Sequence, residues 1–130
     1  MTPNKEIMQS WIDALRSGEY KQGKYLLRDA EDNYCCFGVL ADLYDKEIGT
    51  SQWEGPFTVE EREESGVESQ RACYTHNGYQ GVTSLRIEQW AGLHGDGQII
   101  KGGTHYDRMN DEGASFEDIA KQIAHEVGIE

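Results

Sequence analysis

The stretch Arg71-Ala72-Cys73-Tyr74-Thr75-His76-Asn77-Gly78-Tyr79-Gln80-Gly81-Val82 decides the fold class. Two short runs of strand-prone residues flank Asn77-Gly78, a dipeptide suited to the positive φ angles of a tight turn, so the segment reads as a hairpin. The clearest periodic segments on either side are helical. Together they predict an α+β domain, a small and mostly antiparallel sheet with about four helices packed on one face.

Working outward, Ile7, Met8, Trp11, Ile12 and Leu15 recur at helical spacing, with Thr2-Pro3 as an opening cap and Gly18 as a stop. Cys36, Val39, Leu40, Leu43 and Tyr44 make the stripe of a second helix that Gly49 ends. Ser84 caps a third through Trp90 to Gly92. Ser115 with Asp118 opens a fourth, whose face is Phe116, Ile119, Ala120, Ile123 and Val127, up to Gly128. Short strands are expected at Tyr25-Leu26-Leu27, before the polar turn 29–33, and at Gln98-Ile99-Ile100-Lys101. The acidic segment from Thr50 to Gln70 reads as an excursion over the surface.

The 130 residues match one domain, 1–130, with no Pro/Gly/Ser linker to divide them. Twenty-four acidic against twelve basic residues give a formal charge of −12, a mean field that repels nucleic acid and anionic lipid. No run reaches the ~20 apolar residues that span a bilayer, so no membrane partner is expected. Three cysteines, Cys35, Cys36 and Cys73, are an odd number with two adjacent, which suits a reducing cytoplasm better than a disulfide framework.

Two constellations could carry chemistry. Cys35 stands at the start of the second helix, where backbone amides and the helix dipole lower a thiol pKa. Were the chain an enzyme, Cys35 with His105 and Asp107 would be its catalytic set, with His76, His94 and Asp96 as other candidates. No protease or amidase motif surrounds it, and buried structural cysteines are the plainer reading. Ligand pairs such as Cys73 with His76 are too scattered for a metal site, and no phosphate loop or dinucleotide fingerprint is present, so neither metal nor cofactor is expected.

The other constellation is Tyr20, Gln22, Lys24, Tyr25 and Arg28, where scarce cations gather beside aromatic rings, with Arg86 and Arg108 able to complete a pocket. Aromatic faces stack on bases and Arg or Lys neutralises phosphate, so this set predicts binding of a small nucleotide-type ligand. Packing of the tyrosines on the core, with solvated lysines, is the structural alternative.

The segments Trp11 to Lys24, Leu27-Arg28, Tyr34 to Tyr44, Glu88 to Leu93 and Met109 to Ala120 together resemble a family of small proteins encoded by tailed bacteriophages. The resemblance implies a protein made in the cytoplasm of an infected bacterium, dispensable for building the particle and directed at the host. It implies no reaction. Some small acidic phage proteins sequester nucleotide immune signals, cyclic dinucleotides or ADP-ribose derivatives, and the expectation is a sequestering protein of this kind, a homodimer or larger homo-oligomer. Two alternatives stay open: a small Cys/His or His-dependent hydrolase of such a signal, and an acidic inhibitor that covers the basic site of a host protein.

Overall fold

A computed structural model describes residues 3–62 and 68–129. In chain order the elements are α1 (Lys5–Arg16), β1 (Lys21–Gln22), β2 (Arg28–Asp29), β3 (Asn33–Tyr34), α2 (Cys36–Ile48), β4 (Trp53–Arg62), β5 (Glu68–His76), α3 (Leu85–Ala91), a 3-10 turn (Gly95–Gly97), α4 (Tyr106–Asp111) and α5 (Phe116–Val127). The fold is α+β. Five strands run in the order β1-β3-β2-β5-β4, antiparallel throughout except for the parallel pair β1 and β3.

The long helices form where periodicity and caps agree. On α1 the buried residues are Met8, Trp11, Ile12 and Leu15, and on α5 they include Phe116, Ile119, Ala120, Ile123 and Val127. Ser115 and Asp118 make a reciprocal capping box, and Gly128 closes α5 in the left-handed conformation. The cap of α1 is Asn4, whose side chain accepts from the N–H groups of Glu6 and Ile7. That corrects the expected Thr2-Pro3 start: Thr2 lies outside the described residues, and Pro3 precedes the cap.

Helix α2 is the centre of the molecule. Its first six residues, Cys36 to Ala41, are all buried, a wider face than the expected stripe. One side meets α1, where the Trp11 indole N–H donates to the Cys36 carbonyl at 2.9 Å. The other meets the sheet, where Asp42 accepts from Trp53 Nε1 at 3.2 Å and Asp45 lies 2.8 Å from His76 Nε2. Leu27 crosses so close that a Cβ on Gly38 would fall 1.7 Å from its carbonyl oxygen, so only glycine fits there.

Several expected strands differ. Asn77 and Gly78 do take positive φ, 51° and 86°, but Tyr79 makes only a single bridge to His76, and no strand follows through Val82. The edge of β5 that Tyr79 to Val82 would need is taken by β2, with Arg28 opposite Tyr74 and Asp29 opposite Cys73. The partner of β5 on its other edge is β4, so the expected surface excursion is a ten-residue strand; Glu63 and Glu64 of its acidic run lie outside the described residues. Tyr25-Leu26-Leu27 is not a strand, because Tyr25 has φ 67° while Leu26 and Leu27 turn inward to the core. Gln98 to Lys101 is a loop whose acceptors are taken by the residues that follow: the Ile100 carbonyl accepts from Gly103 N–H, and the Gln98 side chain from Gly102 N–H.

Candidate functional site

A cavity of about 330 Å³ opens where the start of α2, α3 and the first turn of α4 meet. Phe37 supplies an apolar wall, the loop 81–83 a second, and Glu88 projects from α3. The 3-10 turn brings Asp96 and Gly97, and α4 brings His105, Asp107 and Arg108. The turn depends on its backbone: Asp96 and Gly97 have φ 66° and 72°, and a Cβ on Gly97 would fall 2.5 Å from the Phe37 ring. Glycine at 97 is what lets the ring form the wall.

The polar groups are held from behind. Buried Gln98 accepts the Gly102 N–H through Oε1, which fixes its amide, so its Nε2 donates to the Gly103 carbonyl at 2.9 Å and faces His105 Nε2 at 3.3 Å. The Gln98 amide thus holds the edge of the His105 ring that carries Nε2. Burial, and then the charge of Asp96, push the Glu88 carboxyl above the usual carboxylate range. The cavity thus combines a phenyl ring, an imidazole, one guanidinium and three carboxyls.

Of the residues singled out as catalytic candidates, Asp96, His105 and Asp107 line this cavity. Cys35 is the N-cap of α2, but it is buried, and desolvation pushes its thiol up to about 11 despite the nearby amides of Gly38 and Phe37. A thiol held there is protonated at neutral pH and is no nucleophile. His76 is 1% exposed, against Asp45 and between the rings of Trp53 and Tyr44, and belongs to the packing of α2 on the sheet.

The expected ligand patch is dispersed. Arg108 lines the cavity. Tyr20 donates to Asp42 at 2.6 Å and accepts from Lys46, and burial with the Asp42 bond raises its phenol to about 12. Gln22 is a stitch: its Nε2 donates to Asn110 and to the Ala114 carbonyl, and its Oε1 accepts from Phe116 N–H. Arg28 pairs with Asp32 at 2.7 Å and lies 4.0 Å above the Tyr74 ring, with Tyr34 and Trp53 alongside. Lys24 and Arg86 are exposed. Tyr25 is exposed as well, but its backbone abuts the cavity wall: a Cβ on Gly81 would lie 3.2 Å from the Tyr25 carbonyl oxygen.

Sequence reasoning missed Phe37 and Glu88 as site residues. Phe37 meets Gly97 only through the tertiary fold, and Glu88 sits on an ordinary helical position, so the only signal was the glycine-rich run after α3.

The segments around Gln22-Gly23 and Cys36 meet α4 beside this cavity. Asn110 on α4 is fully buried; its Oδ1 accepts from Cys36 N–H and Gln22, and its Nδ2 donates to the Gly23 carbonyl. One family model spans this whole arrangement, residues 3–127. The chain belongs to a family described as a domain of unknown function, DUF8296. No curated protein and no solved structure matches it. In this DUF8296 chain, no group of three or more His, Cys, Asp or Glu among the described residues could hold a metal ion. No helix among them is long and apolar enough to cross a membrane.

Proposed function

We propose that the protein captures a small nucleotide-type molecule in the cavity between α2, α3 and α4. The observation that carries the reading is that Arg108 shares one recess with the Phe37 ring and with Glu88, Asp96 and Asp107. A guanidinium pairs with phosphate, a ring wall receives a base, and carboxylates accept from sugar hydroxyls and exocyclic amino groups. With three carboxyls against one arginine, the site suits the nucleoside end of a nucleotide better than a polyphosphate. Of the expected ligand residues, Arg108 lines this cavity, Tyr25 lies outside its lining with its carbonyl against Gly81, and Tyr20, Gln22 and Arg28 are committed to the fold.

Binding without turnover fits the buried, protonated thiol of Cys35 and the engagement of His105 Nε2 by Gln98. The resemblance to tailed-phage proteins supports a setting in which such capture removes a nucleotide immune signal, a cyclic dinucleotide or an ADP-ribose derivative, from the infected host cell. A second reading, hydrolysis of such a signal, is favoured by one observation: His105, Asp107 and the raised carboxyl of Glu88 face the same recess.

One experiment separates the two. The purified protein is incubated with cyclic dinucleotides and ADP-ribose derivatives, freed of unbound ligand, heat-denatured, and the released material is analysed by mass spectrometry. Release of an intact nucleotide is the expected result. An altered nucleotide, in the unbound or the released fraction, would establish the hydrolase instead, and a panel neither retained nor altered would overturn both readings.

A further inference from the structure

Four non-glycine residues among those described have positive φ: Tyr25, Asp32, Asn77 and Asp96. Asp and Asn enter this region readily because their short side chains bond to nearby backbone, whereas a bulky aromatic gains no such compensation. Tyr25 is held there from outside. Its N–H donates to the Asp111 carboxylate at 2.8 Å, and the next turn of chain is tied by Leu27 N–H to the Gln80 carbonyl at 2.8 Å. Burial does not compensate the strain either, since Tyr25 is 61% exposed. Strain of this kind, held in place around an exposed ring, belongs to binding sites more than to packing.

One neighbour of Tyr25 is part of the cavity wall. Gly81 lines the cavity and packs on the Tyr25 carbonyl, and Asp111 lies one helical turn beyond Arg108 on α4. At about 330 Å³ the cavity is at the lower end of the roughly 300–1,000 Å³ of small-molecule sites, room for one nucleoside unit with the rest of a larger ligand outside. Outside, at the same rim, Val82 is also exposed.

We propose that Tyr25 is the stacking residue of the site, closing on the second base of a two-base nucleotide whose first nucleoside unit occupies the cavity. The inference rests on the nucleotide reading above and narrows it from nucleotides in general to dinucleotides. The strained backbone then has a function: it holds an aromatic face in solvent at the cavity rim, where a base can lie against it at little cost in ordering.

The test is equilibrium binding of cyclic di-AMP and of AMP to the full chain and to Tyr25→Ala, Tyr25→Phe and Tyr25→Gly, with thermal melts of each. The wild type should prefer cyclic di-AMP. Tyr25→Ala and Tyr25→Gly should weaken cyclic di-AMP by about 5- to 150-fold, the range that base–aromatic stacking supplies, and leave AMP unchanged. Tyr25→Phe should keep the preference. Tyr25→Gly, freed of the strain, should melt at or above the wild-type temperature. If cyclic di-AMP binds the wild type and Tyr25→Ala equally, the stacking role is wrong while the nucleotide reading stands. If neither nucleotide binds the wild type, the stacking inference falls, and the nucleotide reading is decided by the retention panel. A Tyr25→Gly variant that melts well below the wild type would make the ring a packing element and overturn the inference.

Discussion

The six residues of α4 serve two regions that differ in how their polar groups are used. On its inner side Asn110 spends its amide on Gln22, Cys36 and Gly23, and Tyr106 donates to Glu126 while its ring packs on Trp11. On its outer side Asp107 and Arg108 face the cavity. The inner region joins three distant segments of chain through satisfied hydrogen bonds, and the outer one lines a recess. The difference teaches where to look for function in a small acidic chain. Charge and aromatic residues clustered in sequence, such as Tyr20 and Arg28, can be used up by the fold, whereas Arg108 on a short helix lines the cavity.

The comparison is broken most severely at Asn110. Asn110→Ala orphans the Cys36 N–H and the Gly23 carbonyl, about 1–3 kcal/mol each, so urea unfolding should show a loss of roughly 2–6 kcal/mol. Arg108→Ala, two residues away on the other side of the helix, should change stability by less than about 0.5 kcal/mol, as expected of an exposed side chain with no hydrogen bond or ion pair among the described residues. Equal losses in the two variants would erase the distinction between the regions.

The inner region should also be chemically silent. Cys35 is sealed by burial and its thiol is pushed up to about 11, so iodoacetamide at pH 7.5 should leave it unmodified in the native protein and alkylate it after unfolding. Rapid native labelling at Cys35 would return the thiol to the list of nucleophiles.

The smallest effect belongs to Glu88. Its folded pKa lies above its unfolded value, so its neutral form is the one the fold favours. That contribution is fully present below the unfolded pKa of about 4.3 and is lost as pH rises through the folded value. Glu88→Gln should therefore raise the melting temperature slightly at pH 7 and leave it unchanged near pH 3.5. A lower melting temperature at pH 7 would mean that the ionised carboxylate has a favourable partner.

Much of the helical fold was legible because each long helix carries both a 3.6-residue stripe and an end signal, as in Ser115 with Asp118 and in Gly49 after α2. The sheet was less legible for a physical reason. Strand pairing is a tertiary choice, and Tyr79 to Val82 lost the edge of β5 to β2, which comes from the distant Arg28-Asp29. Helix α4 is too short to show a period. The same limit governs the site: His105, Asp107 and Arg108 are close in sequence and could be singled out, but Phe37 reaches them only because Gly97 makes room for its ring.

The central claim, capture in the cavity and not on the Tyr20–Arg28 segment, is tested most directly by nucleotide retention in two single variants. The account predicts that Arg108→Ala releases the nucleotide that the wild type retains, while Arg28→Ala, assayed at a temperature where it is folded, still holds it. Loss of retention in Arg28→Ala with full retention in Arg108→Ala would contradict it.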